Sequence, residues 1–209
     1  MGQTRDDGKV LFAATVHDFF RQILSLALEN QRASVQQATE LYLANLLGGF
    51  VQTGSLLTRD EDGTLHQRPL ALLLKDALDA EETAARARLL RRLGDTSLFV
   101  SGMFGECLNR SAVDVEYYIE MGGRAYDALG EVAARRGVTR SLWDELSEKF
   151  SQLVEVLNEV AERTLLNSDT GLLRLYEKWM KTGSARVGVL LREQGVPAII
   201  GLPRGRFVQ

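Results

Sequence analysis

The chain has 209 residues, 45% of them hydrophobic, with a formal charge of −3 and a length that fits one domain with a real core. So small a net charge makes no electrostatic case for nucleic acid or for an acidic membrane surface. The single cysteine, Cys107, cannot close an internal disulfide, which fits a reducing cytoplasm.

The opening MGQTRDDGK is charged and has no apolar run, so no secretory signal is expected. Asp6 stands where a myristoylation motif needs Ser or Thr. A first helix is predicted from Asp6 or Asp7 to Gln31, with Ala13, His17, Phe20, Leu24 and Leu28 on its apolar stripe. His17 therefore falls on or beside the core face. It reads as a hydrogen-bonded core histidine or, less simply, as a ligand; no partner ligand lies one turn away.

A second helix, Ser34 to Gln52, repeats Val35, Ala38, Tyr42, Leu46 and Phe50. The longest apolar run, Leu41 to Val51, is broken by Asn45 and is far shorter than a membrane span. Residues 56–66 read as a small β-hairpin around Asp60-Glu61-Asp62-Gly63. The spacing of those acids and the glycine does not fit an EF-hand. Pro69 opens a short helix, Leu70 to Leu78. A further helix, Ala80 to Leu93, carries Arg86, Arg88, Arg91 and Arg92, which read as a solvated face or as a site for an acidic partner.

Leu93-Gly94-Asp95-Thr96 reads as a helix stop at Gly94 followed by an N-cap. The next helix, Ser97 to Asn109, is apolar nearly all round. It offers Leu98, Phe99, Met103 and Phe104 where a DNA-reading helix needs polar side chains, which excludes a helix-turn-helix. Phe99, Met103 and Phe104 are expected to be buried. Gly102, Gly105 and Glu106 lie close together on this helix. Interior glycines are unfavourable, so close approach of a backbone or a flat ligand is expected there. Glu106 reads as a buried ion pair or as a ligand-anchoring carboxylate.

A helix from Val113 to Arg136 buries Val115, Ile119, Gly122, Tyr126, Leu129 and Ala133. Beyond Gly137 one long helix is predicted to about Leu166, with Leu142, Leu146, Phe150, Leu153, Leu157 and Val160 inward. Glu145, Glu148, Glu155, Glu159 and Glu162 are expected to lie away from that stripe. Helices at Gly171 to Lys181 and from Ser184 to about Gly195 follow, divided by Gly183. The tail from Val196 to Gln209 is apolar and basic, which suits packing on its own domain or on a partner better than a free tail.

No phosphate loop, His-Glu-x-x-His, Cys-x-x-Cys or Gly-x-Ser-x-Gly occurs, and no metal site is read. The order of His17 on the first helix, then Leu93-Gly94-Asp95 leading into a glycine-containing helix, resembles the haem oxygenase family over about a third of the chain. The resemblance implies a haem-ligating His17 and a glycine helix, here Gly102-Met103-Phe104-Gly105, over the opposite face. That tetrapeptide departs from the family's motif.

The expectation is an all-α fold, a single-domain helical bundle of about seven or eight helices with the hairpin insertion, over residues 1–195, followed by a tail at 196–209. The expected function is a non-enzymatic cytoplasmic interaction or regulatory protein acting as a homodimer, with neither nucleic acid nor membrane as partner. The alternative is a helical cofactor-binding or oxidase-like protein using His17, Gly102, Gly105 and Glu106.

Overall fold

The computed structural model describes residues 4–53, 57–59, 65–67, 69–108, 114–165, 175–179 and 182–193. Among them the architecture is all-α. The helices are α1 (Thr4–Asn30), α2 (Gln37–Thr53), α3 (Leu70–Asp79), α4 (Thr83–Leu108), α5 (Val115–Arg135), α6 (Ser141–Glu148) and α7 (Phe150–Leu165). A helical segment at 175–179 (α8) and α9 (Ala185–Glu193) follow. Leu57–Arg59 and Leu65–Gln67 pair antiparallel, with Thr58 opposite His66. An isolated two-stranded pairing is marginally stable at best, and the expected hairpin insertion is not supported as part of the architecture, which is all-α. No helix among the described residues is long and apolar enough to cross a membrane.

The chain divides into two compact units, Met1–Val160 and Ala161–Gln209. The expected boundary lay at residue 196, and the tail beyond it lies outside the described residues.

In the first unit, Leu24, Leu43, Leu47, Leu98, Tyr126, Leu146, Leu153 and Leu157 are wholly buried. The stripe of α1 is as expected, with Phe20, Leu24 and Leu28 inward. The stripe expected for the second helix holds at Leu46, which is buried, and at Val35, Tyr42 and Phe50, which pack on the core; Ala38 is exposed, and Thr39 and Leu43 are inward beside the stripe. Glu145 of α6 reaches the first turn of α2 and meets Thr39 there. Its Oε2 accepts from Gln36 N at 2.9 Å and from Thr39 Oγ1 at 2.5 Å, and Lys149 Nζ donates to Oε1 at 2.8 Å. A carboxylate at a helix N-terminus satisfies otherwise unpaired N–H groups. Burial opposes its charge, but these hydrogen bonds outweigh burial and hold its pKa below the usual carboxylate range.

The helix expected over 141–166 breaks at Lys149, whose φ of −97° and ψ of 12° end α6. Glu145, Glu159 and Glu162 are therefore not on a solvated face; they are 7%, 1% and 3% exposed. Glu159 accepts from Asn30 Nδ2 at 2.8 Å and from Gln31 Nε2 at 2.7 Å, fastening α7 to the end of α1.

Gly94 does not end a helix: α4 runs through it. A Cβ there would lie 2.6 Å from Tyr126 Cε1, so the missing side chain admits a ring of α5. Phe99 is buried as expected, but Phe104, with a non-helical φ of −126°, is 46% exposed.

The second unit has its own small core of Leu175, Trp179, Val187 and Leu191. Glu162 accepts from Lys178 Nζ at 2.8 Å and from Arg186 Nε at 2.9 Å, binding α8 and α9 through one buried carboxylate. Gly183, with φ of 65°, accomplishes the expected turn between them.

A Cβ on Gly102 would fall 2.4 Å from Leu157 Cβ, whereas one on Gly48 would meet nothing within 4 Å. Gly102→Ala should therefore destabilise by about 1–3 kcal/mol through overpacking. Gly48→Ala should stabilise by about 0.5–1 kcal/mol through helix propensity. Denaturant midpoints that move in the same direction for both would contradict this packing.

Candidate functional site

The polar centre of the first unit is built on α4, which lies against both α2 and α5. Asp95 projects from the position after Gly94. Its Oδ1 accepts from Tyr42 Oη of α2 at 2.5 Å and from Tyr126 Oη of α5 at 2.8 Å. Arg91, one turn earlier, places Nε 3.6 Å from Asp95 Oδ2 and donates to Tyr42 Oη at 3.1 Å. The Arg91 guanidinium also lies 5.1 Å from the centroid of the Tyr42 ring. Trp143 of α6 packs edge-on to Tyr42 at 5.5 Å and stacks on Tyr126 at 6.0 Å. Gly94 and Asp95 act together: the first lets the Tyr126 ring in, and the second receives its hydroxyl.

The Asp95 side chain is 20% exposed. Burial raises its pKa above the usual carboxylate range, against the opposing pull of both tyrosine hydroxyls and Arg91. Burial, and then the charge of Asp95, push Tyr42 upward, and Tyr126 rises well above an ordinary phenol for the same reasons. Both phenols therefore keep their protons and act as donors. The cluster is a committed donor–acceptor knot, in which no phenolate nucleophile forms at neutral pH.

The outer edge of the knot opens onto two adjoining clefts of about 310 and 250 Å³, which share Phe50, Arg91 and Asp95. Arg88, Arg92 and Thr96 complete the first, while Tyr42, Asn45, Leu46 and Gly49 complete the second. Arg88 and Arg92 are exposed, and among the described residues neither guanidinium has a hydrogen-bond or ion-pair partner.

His17 is half-buried, and its Nε2 donates to Asn45 Oδ1 at 2.8 Å, which joins α1 to the rim of the second cleft. Gly102 and Gly105 face elsewhere: Leu157 stands over Gly102, and Asn158 and Val115 stand over Gly105. The close approach expected there is thus made by side chains of α7 and α5. Glu106 is on α4, and its side chain lies outside the described residues. No group of three or more metal-ligating side chains is present among the described residues. Asp95, Tyr42 and Tyr126 were missed as a site. Reading Leu93 to Leu108 as continuous helix would have exposed the signal, a carboxylate one turn before buried Leu98 and Phe99.

Because its folded pKa is raised, Asp95 binds its proton more tightly in the folded chain than in the unfolded one. Its contribution to stability is full below the ordinary carboxylate pKa and is lost as pH rises through the raised value. Asp95→Asn, which never ionises, should gain on the parent protein as pH rises above the ordinary carboxylate pKa of about 4. Thermal melts across that range measure it. A constant offset between the two proteins would show that Asp95 does not titrate there.

No family model, curated protein or solved structure matches the chain.

Proposed function

We propose that the protein is a non-enzymatic interaction protein, acting as a homodimer in a bacterial-type cytoplasm, whose cleft between α2 and α4 receives an acidic segment of a protein partner. The observation that carries the reading is the pair Arg88 and Arg92, unpaired on the wall of a cleft whose other wall is the Phe50 ring. Guanidinium groups recognise carboxylates in bidentate geometry, and an aromatic wall gives an apolar neighbour of those carboxylates somewhere to lie. Asp95 and Arg91 are already engaged with the tyrosines, so they shape the cleft while the two outer arginines stay free for a ligand. The overall charge of −3 supports a protein partner over nucleic acid.

A labelled peptide of alternating Glu and Leu, followed by fluorescence anisotropy, tests the cleft. Its affinity should fall with added salt, because exposed charges are screened. Arg88→Glu/Arg92→Glu should weaken binding by roughly tenfold or more while leaving the circular dichroism unchanged. Binding indifferent to both salt and the double substitution would overturn the cleft reading. A monomer in sedimentation at micromolar concentration would remove the dimer. A Soret band in the protein as purified would favour the cofactor-binding alternative at His17.

A further inference from the structure

Helix α4 carries a second concavity on the side opposite Arg88 and Arg91. Arg86, Leu90 and Leu93 share that side by helical spacing. There α3, α4 and α5 enclose a cavity of about 320 Å³, walled by Leu74, Leu78, Leu90, Leu93, Met121 and Ala125. The size is at the lower end of small-molecule pockets, and an apolar lining with few polar groups is their usual character. Its polar groups are unevenly matched. Glu120 and Arg124 face each other at 3.9 Å, both largely in solvent. Arg86 also lines the cavity, and its Nε is buried without a hydrogen-bond partner.

A buried cationic donor without an acceptor is unfavourable and rare in native proteins. The cavity therefore combines an apolar chamber with a guanidinium whose Nε has no acceptor. We infer that it binds a small amphipathic monocarboxylate, such as a medium-chain fatty acid. The carboxylate accepts from Arg86, and the alkyl chain lies along the leucines and Met121. The one positive charge of Arg86 matches one negative charge, and Glu120 at the margin disfavours a phosphate dianion. The site is separate from the arginine cleft and does not depend on it.

The test titrates the full chain with decanoate and with decanol, each below its aggregation limit, and follows the Met121 methyl resonance by NMR. Decanoate should shift that resonance saturably, and decanol should bind at least roughly tenfold more weakly, since it lacks the charge-assisted hydrogen bond. Arg86→Gln should bring decanoate to the affinity of decanol. Arg86 Nε has no hydrogen bond to lose, and an unchanged circular dichroism spectrum checks that this variant keeps the fold. Ala128→Leu, on the lining of the same cavity, should abolish both. If Ala128→Leu does not fold, Arg86→Gln decides alone. An unsaturable Met121 shift, equal affinity for acid and alcohol, or an Arg86→Gln variant that binds decanoate normally would each overturn the inference.

Discussion

A carboxylate taken out of water must be answered by donors from elsewhere in the chain, and in this protein that requirement selects which helices meet and in what register. Asp95 binds α4 to α2 and α5 through two tyrosines. Glu145 binds α6 to the start of α2, and Glu159 binds α7 to the end of α1. Within residues 161–209, Glu162 gathers Lys178 and Arg186. Apolar burial drives collapse but is non-directional. A leucine stripe such as Leu146, Leu153 and Leu157 would tolerate a slide along its partner, whereas a carboxylate with fixed donors would not. Removing one donor leaves such a buried acceptor short of a hydrogen bond, which typically costs about 1–3 kcal/mol.

The apolar framework was legible because it follows from periodicity alone. Phe20, Leu24 and Leu28 on α1, and Gly122, Tyr126, Leu129 and Ala133 on α5, are buried where a 3.6-residue repeat puts them. The polar core was not legible, because burial of a charge depends on donors distant in sequence. Glu145, Glu159 and Glu162 look like solvated positions when their helix is drawn as one straight rod. The break at Lys149 and the donors at Gln36, Asn30 and Lys178 turn them inward. The same long-range effect adds Thr39 to the inward face of α2, where it donates to Glu145.

Gly94 shows the ambiguity at a single residue. Glycine is favoured both where a helix must stop and where another group must come close. Local sequence cannot separate these, and Asp95-Thr96 resembles an N-cap. What separates them is the Tyr126 ring, thirty-two positions on, which fills the space a Cβ would occupy and brings its hydroxyl to Asp95. Gly102 repeats the pattern with Leu157. Gly94 and Gly102 thus have a packing explanation, so a flat ligand is not needed to account for either.

The arginines of α4 are the part of the molecule that stability explains least. Arg91 has a structural role, since it closes the knot over Tyr42 and Asp95. Arg88 and Arg92 do not, and Arg86 keeps a buried nitrogen without an acceptor. Exposed ion pairs elsewhere, such as Arg135 with Glu131, contribute little individually, so the absence of partners for Arg88 and Arg92 is nearly neutral for folding. The unsatisfied Arg86 is not neutral. A helix tied to two neighbours through Asp95 can tolerate that local cost, and it presents guanidinium nitrogens without acceptors on two opposite sides. Each side adjoins a concavity, with Phe50 in one and the leucines of α3 and α4 in the other. Polar readers set beside apolar surface on a rigid element are the arrangement recognition requires, and it is the excess of cationic donors over protein acceptors on α4 that directs both functional readings toward anionic ligands.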